Sequence, residues 1–192
     1  MDDMTDADAR TEHPTMADLD AAVDDVLASP ADVGTVDLIV RRPAEDERQV
    51  LAAGELVVGA GLVGDNYLER GSPSTPDGSA HPEAQLNLMN SRSLSAVSRG
   101  DRSRWPLAGD QFVVDLLLTT ENLPTGTRLA MGSAVIEVSA KPHNGCAKFA
   151  RRFGQDAARW VNQHKEQRRR GLNAIVVEPG VVHQGDAIRI LR

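Results

Sequence analysis

Residues 133–154 read SAVIEVSAKPHNGCAKFARRFG. The first eight form a short apolar run that reads as a β-strand, and Pro142 ends it because proline has no N–H to give a ladder. A polar loop, HNG, then leads to Cys146. AKFARRF follows, with Phe149 and Phe153 four residues apart, as on one face of a helix. A strand running through a tight corner into a short helix is not the long strand–helix alternation of a doubly wound sheet.

Outward from this corner the same texture continues. AQLNLMN (84–90), QFVVDLLLTT (111–120), NAIVVE (173–178) and AIRILR (187–192) are short apolar runs separated by turn residues. SRSLSAVS (91–98) reads as a helix among them. GTVDLIVRRP (34–43) alternates Val36, Leu38 and Val40 and stops at Pro43, a strand with one buried face. Six or seven such runs without regular intervening helices predict a mainly β (α+β) fold, a closed β-barrel with a few peripheral helices. AEDERQVLAAGELV (44–57) has helical composition, and the chain turns at Gly59-Ala60-Gly61. The Gly59, Gly61, Gly64 spacing resembles a dinucleotide loop, but the helix that such a motif must open is missing. GSPSTPDGSAHPE (71–83) is a long Gly/Pro/Ser-rich connection of the kind that marks functional or mobile loops, and its His81 is expected to face solvent.

The N-terminal third of the domain plan differs in composition. Residues 1–14 are polar and acidic, as in a disordered tail. TMADLDAAVDDVLASP (15–30) has apolar residues at helical spacing, with Thr15 and Asp18 as a capping box and Ser29-Pro30 as its close. The expected plan is a tail (1–14), an amphipathic helix and linker (15–33), and one barrel domain (34–192). The net charge of −7 is unevenly spread: residues 1–32 hold ten Asp/Glu and one Arg, leaving the rest at +2. The lone cysteine allows no internal disulfide, the acidic N-terminus is unlike a signal peptide, and no apolar run approaches the ~20 residues of a membrane helix. A soluble, cytoplasmic protein is expected.

Residues 141–170 reverse the overall charge, with nine Lys/Arg against two Asp/Glu. One reading of RRFGQDAARWVNQHKEQRRR is a solvated helical face, with Phe153, Ala157, Trp160 and Val161 inward and Arg152, Arg159 and the RRR run outside. The other is an anion site in which Lys148, Arg151 and Arg152 hold a phosphate near the thiol. A pI of 5.2 and 3% aromatic content argue against a nucleic-acid partner. Cys146 likewise has two readings. It is either a small buried hydrophobe or a thiolate whose pKa a helix N-terminus and nearby cations lower. His143-x-x-Cys146 supplies two metal ligands at most, with others to come from distant residues such as His183. A Cys–His nucleophilic pair lacks an orienting acid in the local sequence, so His143 is assigned to shaping the loop or contacting a ligand.

KPHNGCAKFARRFG, with RGLNAIVVEPGVVHQGDAIRIL (170–191) after it and GLVGD, AQLNLMN, AGDQFVVDL and ENLPTGTRLAMGSAVIEV before it, resembles the MOSC family, named after the C-terminal domain of molybdenum cofactor sulfurases. The likeness covers about residues 34–191 and is closest to small stand-alone bacterial members. It implies a β-rich barrel and a role in molybdenum-cofactor chemistry, as a sulfur transferase or as an oxidoreductase acting on N-hydroxylated compounds. Cys146 would carry a persulfide in the first case and ligate molybdenum in the second. The cofactor, molybdopterin with its phosphate and anionic dithiolene, would meet His143, Lys148, Arg151, Arg152 and, at the end of the first strand, Arg42 or Arg41. Expected partners are this cofactor or another small anionic ligand, and a cysteine desulfurase or molybdoenzyme. The competing reading is a non-catalytic barrel that binds a small anion and keeps Cys146 for structure. Two departures from the family pattern fall at Val113–Asp115, where many members have Gly-Glu-Asn-Leu, and at Gly145, where many have Pro.

Overall fold

The computed structural model describes residues 12–192; residues 1–11, most of the expected acidic tail, lie outside it. Two short helices come first, α1 (Met16–Ala21) and α2 (Val23–Leu27), then β1 (Val33–Arg41), β2 (Gln49–Leu51), β3 (Ala53–Val57), β4 (Gly61–Leu62) and α3 (Tyr67–Arg70). After the long loop follow β5 (Leu86–Asn90), α4 (Ser91–Val97), β6 (Phe112–Asp115), β7 (Arg128–Met131) and β8 (Ala134–Val138). The chain ends with α5 (Ala147–Phe153), α6 (Gln155–Asn162), β9 (Leu172–Glu178), β10 (Gly180–His183) and β11 (Ala187–Leu191).

Seven strands close into a mixed barrel in the order β1-β11-β7-β8-β9-β5-β6 and back to β1. β1 makes the closure because its nine residues serve two neighbours. Val33–Thr35 pair with β11, and Thr35–Ile39 pair with β6 across a bulge between Val36 and Leu38. Only β5 and β6 run parallel, joined by α4 and the 3-10 turn Arg102–Ala108. β2 extends β1, and β10, β3 and β4 form a small second sheet.

Two cores result. Val36, Ile39, Leu88, Phe112, Ile136 and Ile188 belong to the larger, in the barrel, while Leu19, Leu94, Trp105, Phe149, Phe153 and Trp160 belong to a helical layer. β5 is buried at all five positions because it serves both: Leu86 and Leu88 join the barrel core and Met89 the helical one. Close approach at this seam requires Gly171, whose φ is +103° and where a Cβ would meet the Leu88 carbonyl oxygen at 1.9 Å.

The barrel, the 91–98 helix and the Phe149/Phe153 pair stand as expected; those rings lie 4.8 Å apart. The Thr15/Asp18 capping box forms, but the helix it opens breaks at Ala22 into α1 and α2. Residues 44–57 are not helical. β2 and β3 occupy most of that segment, since pairing with β1 and β10 and burial of Gly54 and Leu56 on alternate positions outweigh a weak helical preference. Nor is the RRR run solvated: Arg169 and Arg170 are only 4% and 5% exposed.

Candidate functional site

The corner between β8 and α5 joins the barrel to the helical layer, and three carboxamides hold its shape. Asn173, on β9, donates through Nδ2 to the carbonyls of Lys141 (3.0 Å) and Pro142 (3.1 Å). Its Oδ1 accepts from Asn87 Nδ2 at 2.5 Å, and Asn87 Oδ1 accepts from Arg42 Nη1 at 3.1 Å. Arg42 is itself pinned by Asp65, which takes two guanidinium bonds at 2.8 Å, and by the Gly109 carbonyl. Asn162, the last residue of α6, accepts from the Gly145 N–H at 3.0 Å and donates back to the Gly145 carbonyl at 3.1 Å and to Ala158. Gly145 is there for space: a Cβ would stand 3.1 Å from both Asn162 Nδ2 and Val161 Cγ2.

Cys146 follows as the N-cap of α5, with φ −108° and ψ 179°, and its side chain makes no cap bond. The thiol is exposed, which overturns the buried-hydrophobe reading. Asp110, fully buried, and His143, partly buried, form the polar centre of the corner. His143 Nε2 lies 2.7 Å from Asp110 Oδ1, while Arg170 Nη1 donates to both Asp110 oxygens at 2.8 and 2.7 Å and Nη2 to the Ala108 carbonyl. Burial would raise the Asp110 pKa, but Arg170 and His143 outweigh it and hold the carboxyl below its ordinary range. Burial, helped by Arg170, pushes His143 below its ordinary value against the pull of Asp110. Since a carboxylate only accepts, Nε2 carries the proton and Nδ1 is left as the acceptor. Asp110 is thus the orienting acid absent from the local sequence, supplied from 33 residues away.

Beside these groups lies a cavity of about 450 Å³. Seven cations line it, Arg42, Arg48, Arg70, Lys141, Lys148, Arg152 and Arg170, together with His81, His143 and Cys146, and no Asp or Glu does. Lys148 and Arg152 reach Glu45 and Asp46 outside it, at 2.6 and 2.7 Å. Burial lowers the pKa of Arg48 and so do Arg152 and Arg42; burial and then Arg42 act likewise on Arg70. Arginine stays charged regardless, so these are like charges packed together, offset only in part by Asp46 and Asp65. The Nε atoms of Arg48 and Arg170 are buried and have no hydrogen-bond partner among the described residues.

Of the residues expected from the sequence, Cys146, His143, Lys148, Arg152 and Arg42 meet at this cavity. Arg151 is exposed and does not line it, and Arg41 is taken up by Gln49. His81 sits half-buried on the wall instead of facing solvent, its Nδ1 accepting from the Glu83 N–H. His183 is exposed on β10, and among the described residues no three His, Cys, Asp or Glu gather as a metal site. Arg48 and Arg70 carry no local motif; Asp110 and Arg170 lie within stretches that carry the family resemblance, but no local signal assigned either a role at the site. None of Val113–Asp115 lines the cavity; Asp115 pairs with Arg92 instead.

Comparison with known proteins gives the family. The structure is similar to that of the YuaD protein from Bacillus subtilis (TM-score 0.60, 14% identity, 82% of this chain and 95% of that one). It is also similar to YiiM from Escherichia coli (TM-score 0.54, 19% identity, 82% and 70%) and YiiM from Geobacillus stearothermophilus (TM-score 0.50, 14% identity, 85% and 75%). No curated protein matches the sequence. The MOSC domain model matches residues 75–189, which run from the long loop through the cysteine corner to β11 and make up more than half of the chain, so the protein belongs to the MOSC domain family.

Proposed function

We propose that the protein works in molybdenum-cofactor chemistry, holding the cofactor in the cation-lined cavity with Cys146 as the protein's ligand to the metal. The observation that carries this reading is one cavity with seven cations, no carboxylate on its wall, two orphaned guanidinium Nε atoms and an exposed thiol. A group bearing a phosphate and an anionic dithiolene fits such a lining. Arg48, Arg70, Arg152 and Arg170 would hold the anionic parts, and the Cys146 thiolate would meet the molybdenum. Bound there, the group supplies redox chemistry at molybdenum.

The chain's own residues then have distinct tasks. Asn162 and Asn173 fix the loop on either side of His143 and Asn144, so that Cys146 is presented in one backbone conformation. Asp110 holds the proton of His143 at Nε2, and Nδ1 is the acceptor available at the cavity wall. Exposure of Cys146 favours a second reading, in which it carries a persulfide taken from a cysteine desulfurase in a reducing compartment. No helix of the described residues is long and apolar enough to cross a membrane.

The test is to purify the protein from cells that make the cofactor and to measure bound molybdenum and pterin in wild type, Cys146→Ser and Arg48→Ala/Arg152→Ala. Ligation predicts near-stoichiometric molybdenum in wild type and its loss in both variants. Equal molybdenum in wild type and Cys146→Ser removes the ligand role. Absence of both metal and pterin from wild type, with one sulfur atom added to Cys146 by a desulfurase and cysteine, moves the assignment to persulfide carriage.

A further inference from the structure

The loop that carries His143 and Asn144 has a second hollow on its other side. This cavity, about 460 Å³, shares Lys141–Asn144 and Arg170 with the first but does not include Cys146. Lys141, Lys165, Arg168 and Arg170 line it, and again no Asp or Glu does. Three of these cations lack a carboxylate partner among the described residues. Lys141 donates to the Ser74 hydroxyl (2.9 Å), Lys165 to the Asn144 carboxamide (2.7 Å), and Arg168 to the backbone carbonyls of Leu118 and Leu123.

Arg168 is the most informative of them. It holds φ +47° and ψ 45°, a left-handed conformation that a long side chain adopts only when the surroundings impose it. Burial lowers its pKa, with no nearby acid to offset the effect. A desolvated guanidinium bonded only to neutral carbonyls is an unbalanced charge, and Arg170 adds an unpartnered buried Nε on the same wall. The remaining lining is mixed: Thr120 and Thr125 supply hydroxyls, while Val161 and Leu172 supply an apolar side. A bare inorganic ion would leave that apolar side unused.

We propose that this second cavity is a binding site for a small organic oxyanion, its charged end on Arg168 and Arg170 and its hydrocarbon part against Val161 and Leu172. The site is separate from the cofactor assignment, sharing with it only the loop and Arg170, so either can fail without the other.

The experiment titrates the full chain, observed by amide NMR, with inorganic phosphate and with benzoate. Phosphate should bind at both cavities, and benzoate at the second, shifting amides of residues 118–125 and 165–172. Lys165→Glu, at an exposed position that leaves the fold intact, should weaken benzoate about tenfold or more and leave the phosphate response around Arg48 unchanged. Arg48→Ala should do the converse. Arg168→Gln should abolish benzoate binding; if that variant unfolds, Lys165→Glu decides. Benzoate shifts that are absent, or that persist unweakened in Lys165→Glu, overturn the proposal, as does a single phosphate site removed by Arg48→Ala. Phosphate seen only at the second cavity instead overturns the cofactor assignment and leaves this one standing.

Discussion

Replacing Asp110 by Asn keeps the shape of the side chain and removes its charge, leaving Arg170 buried with no counter-ion. Asp110 has a side chain with no exposure, bound by Arg170 at 2.7 and 2.8 Å and by His143 at 2.7 Å. Breaking a buried pair from one side costs about 3–5 kcal/mol, a large part of the roughly 5–15 kcal/mol that holds a domain folded. For a chain of this length each kcal/mol moves Tm by about 2–4 °C, so Asp110→Asn should melt roughly 6–20 °C below wild type at pH 7. The double variant Asp110→Asn/Arg170→Met, which also removes the stranded cation, should recover part of the loss.

The pH dependence carries a further check with a fixed sign. The Asp110 pKa is depressed from 3.8 in the folded state, so its stabilisation is present above 3.8 and is lost as pH falls through the lower folded value. The His143 pKa is depressed from 6.5, so below 6.5 the unfolded chain takes up a proton that the folded one resists, and wild type loses stability as pH falls. Removing the Asp110 charge leaves burial, Arg170 and Arg42 all holding the His143 pKa down, so the loss below pH 6.5 should persist in Asp110→Asn. Thermal unfolding followed by circular dichroism from pH 2 to 8 reads both effects. A variant melting within about 1 °C of wild type at pH 7 would refute the buried-pair reasoning.

Asn162→Ala removes three hydrogen bonds at the cysteine corner and should cost about 2–3 kcal/mol by denaturant titration. It should also lower, by about tenfold, the preference of Cys146 for anionic iodoacetate over neutral iodoacetamide, because the thiol is no longer held beside the arginines; an unchanged ratio would count against a positioning role. Gly171→Ala would drive a methyl into the Leu88 carbonyl at a φ of +103°, and a loss smaller than about 2 kcal/mol would mean the β5–β9 seam is looser than described.

Much of the barrel was legible because its strands announce themselves locally: GTVDLIVRRP and SAVIEVSAKP each end at a proline. The bulge after Val36 nevertheless turns Ile39 into the barrel core and Leu38 toward the helical layer, where simple alternation places Leu38 and Val40 on one face with Val36. β2 and β3 were not legible, since Glu45, Glu47, Arg48 and Ala52–Ala53 favour helix and only pairing with strands far away in sequence overrides them. At the site, the cysteine corner and its flanking cations were readable from one continuous stretch. Arg48, Arg70, Asp110 and Arg170 were not, because they come from four separate segments and their meaning lies in who meets whom. The basic run at 168–170 misled for the same reason, since periodicity placed it outside while Asp110 and Trp160 draw Arg170 and Arg169 in. Gly145 shows the reverse case. Where the family resemblance leads one to expect proline, Gly145 keeps an N–H, and Asn162 grips it from another helix.

The closure of β1 on β11 makes folding of the barrel depend on contacts between segments far apart in sequence. Residues 33–35 must wait for residues 187–189 before the barrel has no open edge. Helices α1 and α2 dock on α4 and α6, so the helical layer likewise joins segments far apart in sequence. Both layers that flank the cysteine corner therefore rest on long-range contacts, and deleting residues 187–192 should leave β1 and β7 each with an unpaired edge open to aggregation.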